Sequence, residues 1–370
     1  MRLRRLLALI VLTLGVTLAR GGHELPIYPS FYPHEIEIRT IAAGGAADRL
    51  RAGKLQAFVG PGLSLNGNLP ADVQAIETLG SYVVIRANPQ SVRLKEAACD
   101  ALATIARELG RRGDTFTLHP YPVTPFHGDY LHHADLAAAA KTRVAAADFP
   151  ISDLAIRASG ELARYYPPAG GNFDVEIVEV DVAQLVAAQM RATNGLIAPP
   201  WLKDGWWHAF LILHASVAEE DQRQEIERDR QRLMRGDVAG LVDRINVERD
   251  LVRALTRGCH SLVVGYSVKR EYVNTEFSAG IENIGYDSLS GLASPMFIRT
   301  VKLKDFPWNG WLMLGTQAQA TSAWNLIGGM TDPFGRLLRF SLGDAALVPA
   351  PYDAGFMLNR ISDLPASATP

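Results

Sequence analysis

The sequence predicts an α/β fold made of two lobes of βα units, a charged helical insertion and a β-rich C-terminal region. Three observations predict it. A β-branched run, an Ala/Leu-rich run and a second apolar run closed by a Pro/Gly turn follow one another at residues 36–62. The same order returns at residues 175–200, and the spacing from Ile38 to Phe58 equals that from Ile177 to Ile197. Residues 217–235 then switch to dense mixed charge at helical spacing. Strand-like and helical periods in alternation are the mark of βαβ units.

Composition bounds the function. The chain has 370 residues, 48% hydrophobic and 21% charged, which excludes a disordered, collagen-like or coiled-coil protein and allows more than one packed core. A formal charge of −2 suits no phosphate backbone, so nucleic acid is not expected as a partner.

Each element follows in order. Arg2, Arg4 and Arg5 precede an uncharged apolar run over residues 6–19, and small residues follow at Ala19, Gly21 and Gly22. That is the pattern of a secretory signal peptide, expected over residues 1–21, and the run is short for a membrane span. A periplasmic location is therefore expected, with an uncleaved anchor as the alternative. Residues 22–35 hold three prolines and read as an extended arm.

The first lobe is expected over residues 22–135. It holds a strand at 36–40, a helix at 46–55, a strand at 56–59, a further strand at 81–85 and a helix at 91–110. The loop at 114–135 is rich in Pro, His and Tyr. The second lobe, residues 136–215, holds the end of a helix at 135–147, a strand from Val175, a helix at 181–190 and a strand at 195–198. Residues 216–258 are the helical connection. Ser216 with Glu219 forms a capping box there, and Val238, Leu241, Val242, Ile245, Val252 and Leu255 give the second helix an apolar face. Residues 259–370 form the β-rich region, with strands at 261–277 and 296–304 and a hairpin signal at Asn309-Gly310. The two cysteines, Cys99 and Cys259, are either a disulfide of an oxidising compartment or two buried small hydrophobes.

Three constellations could carry chemistry. The turns that end the second strands bring Gly60, Pro61, Gly62 and Ser64, and Pro199, Pro200, Trp201 and Trp207, to strand ends, where open α/β sheets bind ligands. Glycine-rich backbone faces anions, and tryptophans wall small organic ligands. The alternative is that the tryptophans fill a seam between the lobes. His127, Asp129, His132 and His133 form a second set, whose imidazoles and carboxylate suit a transition metal. Their alternative is anchoring a loop and capping a helix. Third, a chain beginning at Gly21-Gly22-His23 would offer square-planar nitrogen ligation to copper or nickel. G-x-S-x-G, Walker A and G-x-G-x-x-G sequences are all missing, so no standard hydrolase, NTPase or dinucleotide signature is met.

The run Ile36-Glu37-Ile38-Arg39-Thr40, followed by Ala46-Ala47-Asp48-Arg49-Leu50-Arg51-Ala52-Gly53-Lys54-Leu55-Gln56-Ala57-Phe58-Val59-Gly60, resembles the opening of type II periplasmic solute-binding proteins. Residues 175–201 look like a comparable βαβ element. The resemblance covers about 60 residues and implies a periplasmic-binding-protein-like fold of two lobes, the charged helical pair and the β-rich end departing from that pattern. The expected function is that of an exported binding protein, not an enzyme, which holds a small ligand between the lobes and delivers it to a membrane transporter or periplasmic redox partner. The alternatives are a periplasmic metal-binding protein or metal-dependent enzyme centred on residues 127–135, and an accessory subunit of an exported redox complex.

Overall fold

Two long strands run through the molecule and are shared by both of its halves. The structure, a computed structural model, describes residues 31–60, 62–63, 65, 69–94, 97–112, 115–166, 172–192, 200–276, 280–306, 308–321, 332–343 and 346–359. The signal segment, most of the proline-rich arm, Gly21 to His23, Pro61, Ser64, the 195–198 strand and Pro199 lie outside the described residues.

Strand β1 (Glu35–Thr40) leads into helix α1 (Ala43–Arg51) and β2 (Ala57–Val59). Ala46, Ala47 and Leu50 bury one face of α1. Gly53, at φ +63°, ends it in the left-handed conformation that glycine adopts without a Cβ clash. Strand β3 (Val73–Ala87), helix α2 (Ala98–Arg112), β4 (Thr117–Leu118) and α3 (Ala134–Ala146) follow. Then come β5 (Ile156–Ala158), β6 (Val175–Asp181) and α4 (Val182–Ala192). Helices α5 (Gly205–Leu213), α6 (Glu220–Arg235) and α7 (Leu241–Arg257) lead to β7 (Ser261–Asn274). The chain closes with β8 (Ile281–Asn283), α8 (Pro295–Thr300), β9 (Lys302–Leu303), β10 (Trp311–Thr316), α9 (Pro333–Leu342), β11 (Leu347–Pro349) and β12 (Phe356–Leu358).

The fold is mixed α/β. The main sheet has the order β1-β10-β2-β7-β3-β6-β5, with β4 on β7. Strand β10 pairs in parallel with both β1 and β2, while β3 pairs antiparallel with β7 and β6. Val73, Ala75, Ile76, Tyr272 and Val273, from one end of the β3–β7 ribbon, pack with β1, β2, β10 and their helices. Tyr82 to Ile85 and Leu262 to Tyr266, from its other end, pack with α2 to α7. The ladder shifts register between Leu79 and Ser81, around Gly80, where a Cβ would meet the Lys269 backbone at 3.0 Å. The charged pair α6–α7 buries Ile226, Leu251, Val252 and Leu255 in the same cluster as Trp206 of α5. Cys99 and Cys259 are bonded, which ties the first turn of α2 to the start of β7.

Four local expectations are corrected. Strand β3 begins at Val73, well before residue 81, because two flanking strands cover it. Ser216 does not cap α6: its hydroxyl donates to the Leu213 carbonyl at 2.7 Å, inside the preceding turn. Residues 296–304 are mostly helix α8, started by Ser294, whose hydroxyl accepts from the Phe297 amide, and by Pro295 in the first turn. Asn309, at φ +55°, does turn the chain, but into a strand parallel to β1 rather than a hairpin.

Candidate functional site

Three parallel strands end at one edge. The carboxyl ends of β1, β10 and β2 are Thr40, Thr316 and Val59. A cleft of about 920 Å³ opens there, lined by Arg39, Thr40, Ala42, Arg49, Thr316, Gln319 and Phe334 among others. The α1 helix starts at this cleft with Ala42 at its cap position, no side-chain cap and no acid in its first turn. Its amino-terminal N–H groups and their partial positive charge therefore face the cleft unneutralised by any cap or first-turn acid of the helix. Arg39 pairs with Glu37 at 2.6 Å and lies half exposed.

The turn after β2 sits beside the cleft. Gly60 and Gly62 have φ +116° and +91°, values that side chains other than glycine rarely adopt. The Gly60 amide donates to Glu271 Oε1 at 2.6 Å. A Cβ on Gly60 would touch the Phe334 ring at 3.4 Å, and one on Gly62 would meet Gln317 at 3.2 Å. Glu271 is fully buried and its other oxygen accepts from the Leu292 amide, so it anchors two loops at once.

Trp201 and Trp207 belong to a different apolar cluster from the cleft residues. Their rings are 6.2 Å apart, and Trp207 stacks on Phe210 at 5.4 Å and meets Trp206 at 5.6 Å. Helix α5 is apolar all round because it is enclosed. A Cβ on Gly205 would press into Val123, lying 2.9 Å from its Cβ. Lys203, just after Trp201, pairs with Asp287 and donates to the Ala350 carbonyl. The backbone of Pro200 opens that turn.

The histidine-rich loop separates into two polar groups. In one, Tyr82 Oη lies 3.1 Å from His127 Nε2 and 3.0 Å from His208 Nδ1. The Thr124 amide donates to His127 Nδ1, and His208 Nε2 donates to the Leu202 carbonyl. Burial holds both imidazoles below their ordinary range, His208 at about 4. In the other group, Asp129, His133 and Glu248 bring one ligand atom each to within 4.8 Å of one another, all buried. The Asp129 carboxylate also caps α5, accepting from the Gly205 and Trp206 amides at 2.8 and 3.2 Å. Burial raises its pKa to about 7, with Glu248 adding to the rise. Burial lowers His133 to about 4.

Of the four metal candidates, the structure thus brings Asp129 and His133 together. His132 lies beside them, its Nδ1 3.9 Å from Glu248 Oε2. Both ring nitrogens of His127 serve the Tyr82 group instead. Sequence reading missed Glu248, although a signal was present. It stands on α7 between Ile245 and Val252, within the apolar stripe, where an acid has no reason to be unless it meets polar partners.

No protein-family model and no curated protein matches the chain. Among solved structures, it is similar to an ABC transporter-associated periplasmic binding protein, DppA from Helicobacter pylori, in complex with the peptide STSA. There the identity is 13% and the TM-score 0.39, covering 72% of this chain and 56% of that one. It is also similar to NikZ from Campylobacter jejuni in complex with Ni(L-His), at 13% identity and a TM-score of 0.33, covering 66% and 56%. A third is the oligopeptide-binding protein AppA from Bacillus subtilis with a nonapeptide, at 13% and 0.34, covering 71% and 58%. The chain therefore spans little more than half the length of these structures.

Proposed function

We propose that the chain is an exported binding protein that holds a small anionic solute in the cleft at the carboxyl ends of β1, β2 and β10, and hands it to a membrane transporter or periplasmic partner. The cleft is the observation that carries this reading. Its volume of about 920 Å³ suits a small organic ligand, and it combines Arg39, Arg49 and the amino terminus of α1 on its walls. Export is supported by the basic and apolar opening of the sequence and by the Cys99–Cys259 bond, which persists in an oxidising compartment. Among the described residues no helix is long and apolar enough to cross a membrane.

The test is a melting-temperature screen of the full chain against amino acids, short peptides and organic acids. A bound solute raises the melting temperature by mass action. The double substitution Arg39→Glu, Arg49→Glu should abolish that rise and leave the unliganded chain folded, since both side chains are exposed. A panel with no stabilising solute, or a response unchanged in the double variant, overturns the reading.

A further inference from the structure

We propose that Asp129, His133 and Glu248 form a binding site for a divalent first-row transition ion such as Zn(II), remote from the cleft. Two pieces of chain far apart in the sequence meet here. Asp129 precedes and His133 ends the tight 3-10 turn Tyr130–His133, and Glu248 comes from the buried face of α7. His133 Nε2 lies 3.9 Å from Asp129 Oδ2, and all three donor atoms fall within 4.8 Å of one another. An ion bound at about 2.0–2.2 Å needs donors roughly 3.3–4.3 Å apart, so a small inward movement closes the site.

Two nitrogens point to a ligand. His133 Nε2 and His132 Nδ1 are both buried and have no hydrogen-bond partner. His133 is completely enclosed, so water cannot satisfy its free nitrogen from outside. Its other nitrogen, Nδ1, lies 2.9 Å from the Tyr121 hydroxyl. With Nδ1–H donating to that oxygen, the lone pair of Nε2 faces the carboxylates. Ligating histidines are oriented in this way, with the outer N–H held by a neighbour.

Charge points the same way. Asp129, Asp204 and Glu248 are three buried carboxylates in one network. Arg244 reaches two of them, Asp204 at 3.1 Å and Glu248 at 2.7 Å. Arg249 is committed to Asp135, with two bonds of 2.7 Å. Asp129 is left with two backbone amides. A divalent ion supplies the missing positive charge. Imidazole with two carboxylates favours zinc and its first-row neighbours over calcium or magnesium, which prefer oxygen alone. The bound ion would pin the 119–133 loop to α7.

The test uses the full chain, stripped with chelator and titrated with ZnCl2 by calorimetry, with Co(II) absorption as a second readout. The expected result is one equivalent per chain, a raised melting temperature, and Co(II) bands of a nitrogen–oxygen site. Glu248→Gln keeps an acceptor for Arg244 and should weaken zinc binding at least tenfold, as should His133→Asn. Tyr121→Phe should weaken it by about 10–100-fold while leaving the donors in place. Arg49→Glu should leave it unchanged, which separates this site from the cleft. A folded wild-type chain that binds no zinc, or equal binding by wild type, Glu248→Gln and His133→Asn, overturns the proposal.

Discussion

Tyr82 bridges two buried histidines whose tautomers are set by their backbone partners. The Thr124 amide, which can only donate, lies 2.9 Å from His127 Nδ1, closer than the Thr124 carbonyl at 3.3 Å, and so favours Nδ1 as an acceptor with the proton on Nε2. The Leu202 carbonyl can only accept, so His208 carries its proton on Nε2 and accepts through Nδ1. The Tyr82 hydroxyl then accepts from His127 and donates to His208. Every polar atom of this chain is used while both rings are neutral. Protonating His208 would set an N–H against the hydroxyl that donates to it. The folded pKa of His208, about 4, lies below that of an unfolded histidine at about 6.5. Its contribution to stability is thus present above pH 6.5 and is lost as the pH falls toward 4. In urea denaturation, the stability difference between wild type and His208→Asn should shrink by about 2–3 kcal/mol from pH 7 to pH 4. Parallel curves for the two proteins would refute this. The sequence shows His127 as one of a cluster of ligand-like residues, but not this use of it. Its hydroxyl partner stands 45 residues away and the second imidazole is 126 residues from Tyr82, separations that leave no local pattern.

Close approach at a single glycine sets how α5 docks. With hydrogen at position 205, the helix start lies directly on Val123 while Asp129 caps it. Gly205→Ala should cost about 1–3 kcal/mol by overpacking. The three atoms nearest the added methyl all belong to the Val123 side chain, so Val123→Ala should recover part of that loss. A chemical-denaturation cycle over both positions should therefore be non-additive. Additive effects would place the strain elsewhere. Elements of this kind differ in how legible they are. Helices α1, α6 and α7 show in the sequence because each buries one face, and strand β7 shows because it is a long run rich in β-branched and aromatic residues. Helix α8 does not, since Pro-Met-Phe-Ile-Arg-Thr is too short to display a helical period and is rich in strand formers. Only its opening, Ser294-Pro295, carries a readable cap. Glu248 was readable in the same way, as a charge in an apolar stripe. That its partners are Asp129 and His133 was not, because helix docking decides it.

Long-range pairing decides how the whole molecule behaves. Strand β10 lies between β1 and β2, although more than two hundred residues separate it from them in the chain. Parallel neighbours carry no turn signal, so the sequence shows two βα units and a β-rich end but not their interleaving. The β3–β7 ribbon then runs from the cores around the cleft to the cores around α2 to α7, and a disturbance in one half should reach the other. The Cys99–Cys259 bond offers a clean disturbance, since it lies in the half remote from the cleft and closes a separation of 160 residues. Replacing both cysteines by serine should lower stability by about 2–5 kcal/mol, chiefly by freeing the unfolded chain. If the ribbon couples the halves, amide hydrogen-exchange protection should fall together in α2, next to the missing bond, and in β2 and β10, beside the cleft. If the halves open independently, β2 and β10 should keep their protection while α2 loses it. Because the bond sits just before the start of β7, whose other end pairs with β2, the expected outcome is the joint loss.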